Sequence, residues 1–187
     1  YAEVSKLASS EAAAIGSLYR DTTGYPEPTR TQLHDGIRAY TEYTINEAWP
    51  LQRQGKIPEG GIALMNHVLD VLIEFNPQTD GQKIIHAETF HAYNTLLQAR
   101  RLRLDAVEAG LPAPMWAIVL VGALITLVST FFFEVENPRL HRIMVGLLAS
   151  LMGLLIFLIA YYDHPFRGSN GISPAAYELI HEHMMKP

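Results

Sequence analysis

The residues best suited to chemistry in this 187-residue chain are its histidines, a cluster of arginines and a few hydroxyls in apolar surroundings. Among the eight histidines, His86 and His91 stand five apart, which places them on different faces of a helix. His181 and His183 are two apart, a poor spacing for shared ligation, and His181-Glu182-His183 lacks the His-Glu-x-x-His spacing of zinc proteases. No metal site is expected. The absence of cysteine excludes disulfides, thiolate nucleophiles and Cys-ligated zinc. There is no Gly-x-Ser-x-Gly elbow, phosphate-cradling glycine loop or dinucleotide fingerprint, so neither an enzyme nor a cofactor is expected.

Arginines 100, 101 and 103 form a second candidate. Arg100, Arg101 and Arg103 lie about a dozen residues before a long apolar run. They suit lipid headgroups and an inward-facing flank, or an electropositive vestibule that concentrates anions. The third candidate is a set of small and hydroxylated residues inside apolar runs: Gly122, Thr126, Ser129 and Thr130, then Gly146 and Ser150. Their four-residue recurrence allows close helix packing, or else a polar stripe along a path. Phe131-Phe132-Phe133 suits a hydrophobic constriction or a lipid-facing end.

The elements that must position these residues are helical almost throughout, because apolar residues recur at three and four. Helices are predicted over 2–19, 28–48, 62–75 and 79–109. Pro50 is expected to end the second, and Asn76-Pro77 to stop the third. The fourth runs to the break Gly110-Leu111-Pro112-Ala113-Pro114. These make a soluble antiparallel bundle over 1–113, carrying 10 Lys/Arg against 14 Asp/Glu. That mild acidity offers no basic face, so nucleic acid is not an expected partner.

Residues 115–133 and 143–162 contain no charge and are long enough, at about 1.5 Å per residue, to cross a bilayer core. The short link between them makes 114–162 a transmembrane hairpin. The fold class is therefore all-α: a soluble bundle joined to a C-terminal membrane hairpin, then a tail, 163–187, with a short amphipathic helix over 174–185. The lipid bilayer is the expected partner, with a homo-oligomer or a larger membrane complex around it. Trp116, Tyr161 and Tyr162 suit one interfacial belt. Arg100, Arg101, Arg103 and Arg167 outside the spans outnumber Arg139 and Arg142 between them. This imbalance places the bundle in the cytoplasm of a cell whose inner membrane the chain crosses more than once. No ionisable residue lies within either span, which disfavours a proton relay or carboxylate ion site there. The opening at Tyr1, already in helical pattern, suggests an upstream segment outside this sequence.

Several short motifs carry a resemblance: Glu11 with Leu18-Tyr19-Arg20, Tyr25-Pro26, Glu47-Ala48-Trp49-Pro50, Arg100-Arg101-Leu102-Arg103, Leu111-Pro112 with Trp116, and Asp163-His164-Pro165-Phe166-Arg167-Gly168 with Ile172-Ser173-Pro174. In order and spacing they resemble the bestrophin-like domain of bacterial membrane proteins, along nearly the whole chain. Ala48 is a departure, an extra residue where that family reads Glu-Trp-Pro. The resemblance implies further membrane sequence before residue 1 and a distant likeness to pentameric anion channels with helical cytoplasmic domains. It marks Glu47, Trp49, Pro50, Asp163, Pro165, Phe166 and Gly168 as structural motif residues. Those channels follow a Pro-Phe-Gly motif with an acidic calcium clasp; here Arg167 is inserted and no carboxylate occurs in 169–174, so calcium gating there is not expected.

Overall fold

The computed structural model describes residues 2–108, 110–132, 137–163, 166 and 172–186, and every regular element among them is a helix. They are α1 (Ala2–Asp21), α2 (Thr29–Tyr43), α3 (Trp49–Arg53), α4 (Gly60–Glu74), α5 (Asp80–Glu108), α6 (Ala113–Ser129), α7 (Pro138–Asp163) and α8 (Ala175–Ile180). The chain divides into two units, Tyr1–Glu108 with Pro165–Pro187, and Ala109–His164. The tail is therefore part of the bundle unit.

In the bundle, α1 packs along α5 and α2 along α4, with α8 laid on α1. The α1 stripe of Ala8, Ala12, Ile15 and Leu18 is buried with Leu33, Ile37 and Tyr40 of α2, Met65, Val68 and Leu72 of α4, and Tyr93 and Leu96 of α5. Gly36 lets α2 and α4 approach closely, because a Cβ there would meet Val68 Cγ2 at 2.8 Å. Gly55 closes the turn after α3 with a φ of 73°, a left-handed conformation that costs glycine little.

The second helix departs from its expected course. It does not end at Pro50: a π turn over Thr44–Ala48 leads directly into α3, with Pro50 in the first turn of that helix. Proline in a continuing helix lacks an amide donor and collides with the carbonyl four residues back, and a wider turn relieves both. The same turn accommodates an extra residue. An unbroken α-helix would carry the stripe Leu33, Ile37, Tyr40, Thr44 on to Ala48 and Leu51. Ala48 stays buried on that stripe, and the π turn brings Trp49 and Gln52 to full burial beside it while leaving Leu51 partly covered. Ala48, read from the sequence as an inserted residue, lies in that turn.

In the second unit, α6 with the short 3-10 turn Thr130–Phe132 spans 20 residues and α7 spans 26, both apolar enough to cross a membrane. Neither apolar window has a buried residue. Partly covered positions recur at three and four on both helices: Trp116, Val119, Ala123, Thr126 and Thr130 on α6, and Val145, Leu148, Met152, Ile156 and Ile159 on α7. That spacing is the seam of an antiparallel pair. The predicted ends shift by a few residues, since α6 starts at Ala113 and α7 at Pro138. Residue 133 lies outside the described residues.

Candidate functional site

The most unusual chemistry in the bundle is a buried ion pair. Glu11 stands on the apolar face of α1 between Ala8 and Ile15, and Arg103 stands on α5 in phase with Thr89, Tyr93 and Leu96. Both side chains are almost wholly excluded from solvent. Arg103 Nε donates to Glu11 Oε2 at 2.5 Å and Nη2 donates to Oε1 at 3.2 Å, a two-point clasp. Tyr40 Oη donates to Glu11 Oε1 at 2.6 Å. The guanidinium carbon lies 5.5 Å from the Trp49 ring centroid and 5.9 Å from that of Tyr177.

The aromatic shell extends into the tail. Trp49 Nε1 donates to the Ile172 carbonyl at 2.8 Å, and its ring lies 5.3 Å from Tyr177 and 5.8 Å from Phe166. Burial pushes the Tyr40 and Tyr177 phenols up, and the Glu11 carboxylate adds to this, so both stay protonated. Tyr177 Oη feels that carboxylate but has no well-aligned bond to it. For Arg103, burial is the largest single influence and would lower the pKa; the charge and hydrogen bonds of Glu11, with contributions from Tyr177 and Tyr40, together outweigh it and drive the value upward. The cluster therefore keeps Arg103 cationic and the Tyr40 and Tyr177 phenols protonated.

The arginine cluster consequently splits. Arg103 is withdrawn into the ion pair and is not available to attract anions or headgroups, which corrects its expected role. Its burial follows from helical phase: positions 96, 100, 103 and 107 share the inward side of α5, and 101 does not. Arg100 is half-buried and Arg101 exposed. Arg100 lies beside Gly61, its Nη2 3.5 Å from where a Cβ would stand.

In the second unit, Asp163 at the end of α7 accepts a hydrogen bond from the Leu111 amide on Oδ1 and from Trp116 Nε1 on Oδ2 at 3.1 Å. It ties the exit of one apolar helix to the entry of the other. The hydroxyls within these helices fold back on their own backbone: Thr126 donates to the Gly122 carbonyl, Ser129 to Ile125, Thr130 to Leu127 and Ser150 to Gly146. This satisfies them without a second helix. Thr126 and Thr130 are half-covered, whereas Gly122, Ser129, Gly146 and Ser150 are exposed. Glu47 and Pro50 are exposed at the bundle surface. Pro165 and Gly168 lie outside the described residues. His86 belongs to an aromatic cluster, its Nδ1 2.8 Å from Tyr25 Oη and its ring 4.8 Å from Phe90.

A family model described as the Bestrophin-like domain matches residues 1–177. The chain belongs to the bestrophin-like domain family. No curated protein and no solved structure matches it. With its two apolar helices, this bestrophin-like chain is a membrane protein. The motifs that carry the resemblance converge in space within each unit: Glu11, Trp49, Arg103, Phe166 and Ile172 in the bundle, and Leu111, Trp116 and Asp163 at the base of the hairpin. Tyr40, Gln52 and Tyr177 were not among the expected site residues. A signal for the bundle site was present, since a carboxylate in the apolar stripe of α1 and a guanidinium in that of α5 each require a buried partner.

Proposed function

We propose that this bestrophin-like chain belongs to an oligomeric protein that conducts or transports small anions across a cell (inner) membrane, its helical bundle forming a cytoplasmic vestibule. The observation that carries this reading is the hairpin itself: two charge-free helices, long enough to span, with no buried residue in either apolar window. One hairpin with self-satisfied hydroxyls encloses no path, so a path requires helices from further copies or further membrane sequence. The family's association with channels rather than enzymes supports the same reading. In this scheme Thr126, Ser129 and Thr130 line the path. Gly122, Gly146 and Ser150 allow helices to approach, and Arg100 and Arg101 raise the local anion concentration. The test is chloride efflux from liposomes holding the complete protein. Selective efflux that falls severalfold in the Arg100→Gln/Arg101→Gln variant supports it; a correctly assembled but silent preparation contradicts it.

A second reading, a non-conducting subunit of a larger membrane complex, is favoured by isoleucines exposed on the bundle, Ile73 at 65% and Ile84 at 71%. It predicts a stable different partner after gentle detergent extraction, and recovery of homo-oligomers alone counts against it.

A further inference from the structure

Between α2 with its π turn and α4, the bundle carries a groove of about 540 Å³. Ala39, Glu42, Tyr43 and Glu47 line it from the first of these elements, and Ala63 and Leu64 from the second. The π turn sets this lining. Five residues along an α-helix amount to a rotation of about 140° beyond a full turn, which would send Glu47 away from Glu42. A turn that bonds each residue to the fifth along returns Glu47 towards the line of Glu42, and such turns recur at functional sites. Gly60 belongs to the same groove. Its amide donates to Tyr43 Oη at 3.0 Å, and a Cβ there would stand 2.9 Å from the Tyr43 ring, so glycine lets that ring close on the start of α4.

The lining selects the ligand. It holds two carboxylates and no lysine, arginine or histidine, which excludes an anion. Glu47 enters no hydrogen bond or ion pair among the described residues, and Glu42 uses only Oε1, 3.0 Å from His181 Nε2 of the tail. Arg100 Nη2 stands beside Gly61 and is not among the lining groups. A bare metal ion would find too few ligands, since the described residues contain no group of three carboxylates or histidines able to hold one. An organic cation on an apolar stem uses every part of the lining. Its charge pairs with the carboxylates and the face of the Tyr43 ring, and its stem covers Ala39, Ala63 and Leu64.

The geometry points to a binding site for an amine or guanidinium group on an apolar stem, held in the groove between α2 and α4 by Glu42, Glu47 and Tyr43. This site lies within the bundle and does not depend on conduction by the hairpin.

The test is titration calorimetry of the complete protein in detergent, with butylguanidinium and with butylurea, its neutral counterpart of the same shape. Butylguanidinium should bind and butylurea should not. Glu47→Gln, which removes a carboxylate without a protein partner, should weaken binding about twofold to fivefold. Ala63→Lys sets a fixed cation in the groove at an exposed position and should abolish binding, with melting curves confirming that both variants are folded. A short peptide with one arginine distinguishes the source of the cation: tighter binding than butylguanidinium assigns the groove to a protein side chain, and weaker binding to a free amine or guanidine. No binding of either probe, equal binding of butylurea, or binding unchanged in both folded variants overturns the site.

Discussion

Glu11 has no access to water, and Arg103 and Tyr40 both hydrogen-bond its carboxylate. Removing one member of a buried pair strands the other, and Glu11→Leu or Arg103→Met should each destabilise the bundle by about 3–5 kcal/mol. Replacing both, as Glu11→Leu/Arg103→Met, should cost much less than the sum. Denaturant unfolding of the unaltered protein and the three variants checks this, and simple additivity would show that the two residues do not act as a pair. His86 supplies a pH dependence. Burial holds its pKa below the ordinary value, and burial does the same for His34. Below about pH 6.5 the unfolded chain takes up protons that the folded chain resists, so stability should fall as pH drops through that window. Melting curves at pH 7.5 and 5.5 should show the loss, and His86→Gln should shrink it. The phase of Glu11 and Arg103 was legible in the sequence. That they meet was not, because they stand 92 residues apart and only the pairing of α1 with α5 brings them together.

At the scale of elements, the helices, their order and their approximate ends could be read from apolar periodicity and from prolines and glycines. The continuation through Pro50 could not. It depends on one π turn, and periodicity calculated for a uniform helix does not contain it. If that turn absorbs an extra residue, deleting Ala48 should leave a regular helix with Trp49 still buried. The deletion should then cost no more than about 1 kcal/mol, and Trp49→Ala about 3–5 kcal/mol. Tryptophan fluorescence and thermal melts distinguish the cases; a deletion as harmful as Trp49→Ala would refute the turn's role. At the base of the hairpin, Asp163→Asn leaves one acceptor for two donors, Leu111 N and Trp116 Nε1. It should loosen the pairing of helix ends, seen as faster amide exchange at Leu111.

At the scale of the molecule, composition already separated a charged bundle from an apolar hairpin, and the family match from 1 to 177 agrees with the order of motifs along the chain. The tail could not be allocated from sequence. Its apolar face was compatible with either the bundle or a membrane surface, and contacts such as those of Trp49 with Ile172, Tyr177 and Phe166 assign it to the bundle unit. Nor could the arginines be divided by residue type; helical phase puts Arg103 inside and Arg101 outside. The lack of cysteine in this chain makes the proposed path directly testable. In liposomes that show chloride efflux, a single cysteine at Thr126 should react with a negatively charged, water-soluble thiol reagent, and the efflux should fall on modification. Complete labelling with unchanged efflux, or no efflux from an assembled preparation, would contradict an anion path along this helix.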